Sequence, residues 1–90
     1  MATNTFFGQD AAVGSTDWVI FDFGTEMASM TLINRGTADL IFSFNGIETA
    51  GRLPAADFQL TRDGMWEQIL YVKTESGTGA VEVQAWRGEP

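Results

Sequence analysis

The sequence predicts an all-β fold, a compact antiparallel β-sandwich of seven to eight short strands, and three observations lead there. Seven Phe, three Trp and many Val, Ile and Thr are present, gathered in runs of about five to eight residues that fit a pleated, half-buried surface. Glycines recur between those runs about once every ten residues, the spacing that turns between short strands produce. Within the runs, apolar side chains tend to alternate, which places them on one face of a strand. Ninety residues make one domain, spanning 1–90, and leave no room for a second.

The elements follow in chain order. A first extended piece covers residues 4–8. Residues 17–23, "DWVIFDF", set Val19, Phe21 and Phe23 on one face and Trp18 and Ile20 on the other. Residues 27–33 alternate Ala28, Met30 and Leu32 against Ser29, Thr31 and Ile33. The chain then turns at "NRGT", where Asn34 and Gly36 both tolerate the positive φ of a tight hairpin. Residues 40–44 return as its second strand, with Leu40, Phe42 and Phe44 facing one way and Ile41 the other. Asn45-Gly46 turns the chain again. A weaker extended piece at 47–53 ends at Pro54, and Phe58 and Leu60 mark another short strand before a turn at Arg62-Asp63-Gly64. Residues 68–74, "QILYVKT", and 80–86, "AVEVQAW", flank "ESGTG" and read as a second hairpin. In the last strand Val81, Val83 and Ala85 face inward while Glu82 and Gln84 face water, with Trp86 on the Glu82 side. Two helical alternatives exist. Pro54-Ala55-Ala56-Asp57 suits the opening turn of a helix, and Met65, Trp66, Ile69 and Leu70 fit a helix face. Tyr71-Val72 and the flanking glycines favour a strand for the latter.

Composition removes several functions. The chain has no Cys and no His, so disulfides, thiolate metal sites and the usual serine- or thiol-type nucleophiles are absent. With 12 acidic and 5 basic residues the net charge is −7, which disfavours nucleic acid and anionic membranes as partners. No basic leader or run of about 20 apolar residues is visible, and folding in a cytoplasm is expected. Asp17 with Asp22 and Glu67 with Glu75 are the carboxylate pairs to inspect for glycoside chemistry, though exposed carboxylates on so small a sandwich are ordinarily solvated surface. "GTGAVE" begins like a dinucleotide fingerprint but has Glu82 at its sixth position and joins two strands, so it reads as a hairpin turn. No cofactor and no metal ligand set is expected, apart from a carboxylate site shared between subunits, which stays open.

The aromatic and doubled runs point to a partner. "WVIF", "LIF" and "ILYV" each place apolar side chains on both faces of a strand. A two-layer antiparallel sandwich normally wets its outer faces, and a domain this small gains stability from self-association when disulfides and metals are absent. The interface candidates are Phe6, Phe7, Trp18, Ile20, Ile41, Trp66, Tyr71 and Trp86. The three tryptophans admit three readings: plugs in the core, platforms for sugar rings, or protein contacts. Thr5-Phe6-Phe7 beside Gly8 suits either an N-terminal arm within 1–10 that docks on a neighbour or an edge strand of the sandwich.

The succession "TLINRGTADLIFSFNG", "AGRLPAADFQL" and "LYVKTESGTGAVEVQAW" resembles small structural proteins of tailed-bacteriophage virions. There an Asn-x-Gly turn precedes a strand, a short Gly- and Pro-containing link follows, and a "VK-x-x-SG" hairpin leads to a strand ending in Trp. The resemblance covers about residues 27–86 and carries no catalytic or ligand motif. It implies a jelly-roll-like sandwich that decorates and cements a capsid from the outside, as a dimer or trimer bound to the major capsid protein. A glycan- or receptor-binding module of a fibre or tail tip is the alternative.

Overall fold

The computed structural model describes residues 6–55 and 58–87. It is all-β, a jelly-roll-like sandwich, and no helix forms among the described residues. Six strands follow one another as β1 (Phe6–Val13), β2 (Val19–Asn34), β3 (Leu40–Ser43), β4 (Gly51–Leu53), β5 (Gln59–Thr74) and β6 (Gly79–Trp86). They form one sheet in the order β1-β6-β2-β5-β3-β4, and every pairing is antiparallel.

The sheet folds over on itself because β2 and β5, at 16 residues each, run through both layers. In the first layer, residues 29–34 of β2 lie between β6 and residues 59–63 of β5, with β1 outside β6. In the second, residues 69–74 of β5 lie between residues 19–22 of β2 and β3, with β4 outside β3. The crossover is a double irregularity. Residues 23–26 of β2 stand against Gln68 alone, and Gly64, Met65 and Trp66 of β5 stand against Ala28. Extra residues of this kind bend a strand and sharpen its twist. Gly24 (φ 84°), Gly64 (φ 69°) and Trp66 (φ 48°) all take left-handed backbone there. For Trp66 that conformation costs about 1–2 kcal/mol.

The core lies between the layers. Met30, Leu32, Val81, Val83 and Ala85 face it from the first layer, and Phe21, Leu40, Phe42, Leu53, Leu70 and Val72 from the second; all are buried. Each large side chain there contributes about 1.5–3 kcal/mol of transfer free energy. Phe7 of β1 closes one side, its ring edge-on to Phe23 at 4.9 Å and to Phe21 at 6.4 Å. Phe44 is half-buried against the core, with the Arg62 guanidinium over its ring at 5.7 Å.

The expected faces are as observed, but the count and the connections differ. Seven to eight short strands become six because pieces 17–23 and 27–33 are two halves of β2. The pieces at 58–60 and 68–74 are likewise halves of β5. Arg62-Asp63-Gly64 is not a turn: Gly64 is spent on the corner within a continuing strand, and residues 65–70 are strand, not helix. Neither expected hairpin exists either, since β2 does not pair with β3, nor β5 with β6. Both "NRGT" and "ESGTG" carry the chain from one layer to the other. A sequence that permits a tight turn permits a layer crossing equally well, and the ladder partner is decided elsewhere in the chain.

Asn34 shows what the first crossing needs. Its side chain is fully buried, with Nδ2 donating to the carbonyls of Ala38 (2.8 Å) and Leu53 (3.1 Å) and Oδ1 accepting from the Gly36 amide (2.9 Å). Gly36 has no positive φ. It is required by close approach, since a Cβ would stand 2.8 Å from the Ala80 backbone nitrogen. The Asn45-Gly46 turn does lead to a paired strand, β4. The extended piece at 47–53 shortens there to Gly51–Leu53, because residues 44–50 are occupied by the turn. Of the first piece, Phe6 onward lies in β1, while Asn4 and Thr5 lie outside the described residues. So do Ala56 and Asp57 of the helical turn considered after Pro54.

Candidate interaction surface

Opposed residues of an antiparallel pair share a face, so the register builds the outer surface of the second layer directly. One row runs Ile20, Tyr71, Ser43; the next runs Lys73, Ile41, Arg52; a third pairs Asp22 with Ile69. Trp18, just ahead of β2, extends the patch, with its ring edge-on to Tyr71 at 6.4 Å and the Lys73 ammonium 4.6 Å from its centroid. The β3–β4 turn lies against the Tyr71 ring. A Cβ on Gly46 would meet that ring at 3.1 Å, and the turn is fixed by Asn45 Oδ1, which accepts from the Ile47 and Glu48 amides. Ile47 is thereby held out in water at 83% exposure, and Ile20 at 60%.

The result is an apolar field of Trp18, Ile20, Ile41, Ile47, Ile69 and Tyr71. Its rim carries Arg52 in ion pairs with Asp39 (2.7 Å) and Glu75 (2.9 Å). The hydrogen bonds that Arg52 donates to Glu75, then the charges of Glu75 and Asp39, raise the Arg52 pKa. At the other end Asp22 Oδ1 accepts from the Gly24 amide and from Gln68, which lowers its pKa.

The outer face of the first layer contrasts with this. Thr31 and Thr61 share a hydroxyl contact at 3.1 Å, and Glu82 takes an ion pair from Arg35 at 2.8 Å and a hydrogen bond from Gln84 at 2.6 Å. Those donors, Arg35 first, hold the Glu82 carboxyl below its ordinary pKa. Ile33 and Trp86 lie half-buried among these polar groups.

Four of the eight interface candidates, Trp18, Ile20, Ile41 and Tyr71, therefore come together on one surface. Trp66 stands apart at the corner, 52% exposed, and Trp86 belongs to the opposite face. Phe7 packs inward, half-buried. Phe6 pairs with Trp86 through its backbone, and its side chain lies outside the description. Ile47 and Ile69 were not among the candidates. An isoleucine directly after an Asn-Gly turn was the available signal for Ile47.

The carboxylate pairs do not form a site. Glu75, just beyond β5, is engaged by Arg52, and Glu67 lies at the corner, at the other end of the second-layer half of β5. Asp17 sits in the β1–β2 loop, where it helps line a shallow groove of about 420 Å³ with Ser15, Thr16, Trp18, Gly77 and Thr78. A second depression of about 270 Å³ lies beside Asp10, Ala12, Arg35 and Ala80.

No family model matches the chain, and no curated protein matches it. Solved structures share the fold. The SPBc2 prophage-derived protein YomS is 14% identical with a TM-score of 0.57, over 96% of this chain and 95% of that one. The Cupin_2 domain of an XRE family transcriptional regulator from Enterobacter cloacae is 10% identical with a TM-score of 0.60, over 94% and 93%. Hydroxypropylphosphonic acid epoxidase from S. wedmorenis, in complex with fosfomycin, is 9% identical with a TM-score of 0.59; the match takes in 90% of this chain and 43% of the epoxidase. At these identities the likeness is one of fold. Iron(II) and cobalt(II) forms of HppE are among the similar structures, and this chain does not fit such a metal. It has no His or Cys, its interior is filled by Phe21, Phe42, Met27 and Met30, and no carboxylate group of three or more gathers among the described residues.

Proposed function

We propose that this chain is a non-enzymatic virion structural protein that decorates and stabilises a phage capsid through protein–protein contacts. It does so as a homo-oligomer seated on the major capsid protein at the capsid exterior, after synthesis in the host cytoplasm. The observation that carries the reading is the apolar field on the outer face of the second layer. Apolar surface gathered on one face of a small β-sandwich, exposed at Ile20 and Ile47 and half-buried at Trp18, Ile41, Ile69 and Tyr71, marks an interaction site, and Trp and Tyr are residue types that anchor protein interfaces. A fold in common with a prophage-derived protein and the sequence pattern of residues 27–86 support the same setting. The acidic balance suits a position away from packaged DNA.

Co-sedimentation with capsids lacking the protein tests the role. The native chain is expected to pellet with capsids and Ile20→Asp to lose at least about ten-fold in affinity, since burying one such side chain is worth about 1.5–3 kcal/mol. Native protein that stays in the supernatant at saturating capsid would refute it. The glycan- or receptor-binding reading has one observation of its own, the Trp66 ring, half free at the corner. A saturable change in tryptophan fluorescence with a sugar, lost in Trp66→Ala, would favour it.

A further inference from the structure

We infer that β1 is a self-pairing edge: two copies of the chain join β1 to β1 in antiparallel fashion about a two-fold axis at Gln9, making one continuous layer across the dimer. The capsid role is not needed for this step, which concerns only the homo-oligomer of that reading.

Among the described residues the sandwich has four open edges, and three of them are guarded. β4 is three residues long, carries Arg52 and stops at Pro54. Residues 19–22 of β2 end in Asp22 and the corner. Residues 59–63 of β5 carry Arg62 and Asp63 and run into the left-handed Gly64. Short length, charge and bulges are the devices that keep an edge from pairing. β1 is the least guarded, being neither short nor bulged. Its eight residues, FFGQDAAV, hold one charge and no proline, and they pair with β6 without a register break from Phe6↔Trp86 to Val13↔Gly79. Gly8, Gln9, Asp10 and Ala12 are exposed.

The register of a β1–β1 pair is decided by face and by charge. Phe7, Gln9 and Ala11 share rows with the inward Ala85, Val83 and Val81, and Gly8, Asp10 and Ala12 alternate with them. A continuous layer must set inward residues opposite inward residues, so the axis falls on a residue and not between two. An axis on Asp10 would oppose two carboxylates, which is destabilising. An axis on Gly8 or Ala11 shortens the overlap. The axis on Gln9 pairs residues 6–12 with residues 12–6 of the second copy. Asp10 then faces Gly8, which has no side chain to crowd it, and half-buried Phe7 faces the small Ala11. A seven-residue ladder is a small interface, so association falls at about micromolar concentration.

Sedimentation equilibrium on the full chain tests this, with charges placed on the axis. Gln9→Lys alone and Gln9→Asp alone each oppose like charges. Each is expected to raise the dimer dissociation constant by up to about five-fold, with an unchanged far-UV spectrum because Gln9 is exposed. An equimolar mixture of the two is expected to dimerise again. A native chain that remains monomeric at about 100 μM, well above the expected range, would overturn the inference. So would a single variant that keeps native dimerisation, or a mixture that fails to recover it. Ile20→Asp is expected to stay dimeric while losing capsids, so failure of the capsid reading and failure of this one give different results.

Discussion

Replacing Asn34 by Ala should cost far more than a turn residue normally would. The side chain makes three hydrogen bonds from a fully buried position and ties the end of β2, in the first layer, to the carbonyl of Leu53 in the second. Removing it takes away about 1 kcal/mol per bond and strands buried partners at about 1–3 kcal/mol each. Two of the three bonds are only partly buried, so water recovers part of the loss, and about 3–4 kcal/mol remains. A domain of this length has about 5–13 kcal/mol in all. The melting temperature should therefore fall by about 12–30 °C, with the urea m-value unchanged. Asn45→Ala is the control. Asn45 Oδ1 also takes three hydrogen bonds, from the Ser43 hydroxyl and the Ile47 and Glu48 amides, but the residue is exposed and water replaces the bonds, leaving a cost near 1 kcal/mol. Equal losses for the two variants, or a loss under about 1 kcal/mol for Asn34→Ala, would refute the clamp.

Two further outcomes are expected. At Trp66, where φ is 48°, Gly should be more stable than Ala by about 1 kcal/mol in urea titration, the reverse of the usual strand order; Ala equal to Gly would remove the strain argument. Glu82 and Asp22 are held below their ordinary pKa, Glu82 by Arg35 and then Gln84, Asp22 by the Gly24 amide and then Gln68. A depressed carboxylate contributes stability above its unfolded-state pKa and loses it as pH falls through the folded value. Stability should therefore decline below about pH 4. Glu82→Gln should flatten that acid limb when melting is followed against pH, and an unaltered slope would refute its contribution.

The strand faces were legible because they are local. The alternation that sets Phe21 and Phe23 against Ile20, or Val81, Val83 and Ala85 against Glu82 and Gln84, needs only neighbours two residues apart. Pairing was not legible, because nothing in "NRGT" or "ESGTG" says whether the next strand returns beside the last or crosses the core. Gly64 misled for a related reason: a left-handed glycine serves a corner inside a strand as readily as a turn between two. For the surface, the outward direction of Trp18, Ile20, Ile41 and Tyr71 could be read from the sequence. Their gathering depends on β2 and β3 flanking β5, a non-local fact, and Ile47 joins them only because the Asn45 turn folds back over Tyr71.

The pairing of Phe6 with Trp86 has a kinetic meaning. The first layer places β1, the first of the described strands, beside β6, the last of them, and β2 and β5 weld that layer to the other. No fragment that lacks β6 owns a finished sheet, so the domain acquires its structure in a single cooperative step. Because distant segments must meet first, that step belongs to the slow millisecond-to-second class. Until it occurs, β1, with Phe6 and Phe7, lacks its β6 neighbour, and in that interval the domain is most prone to aggregate.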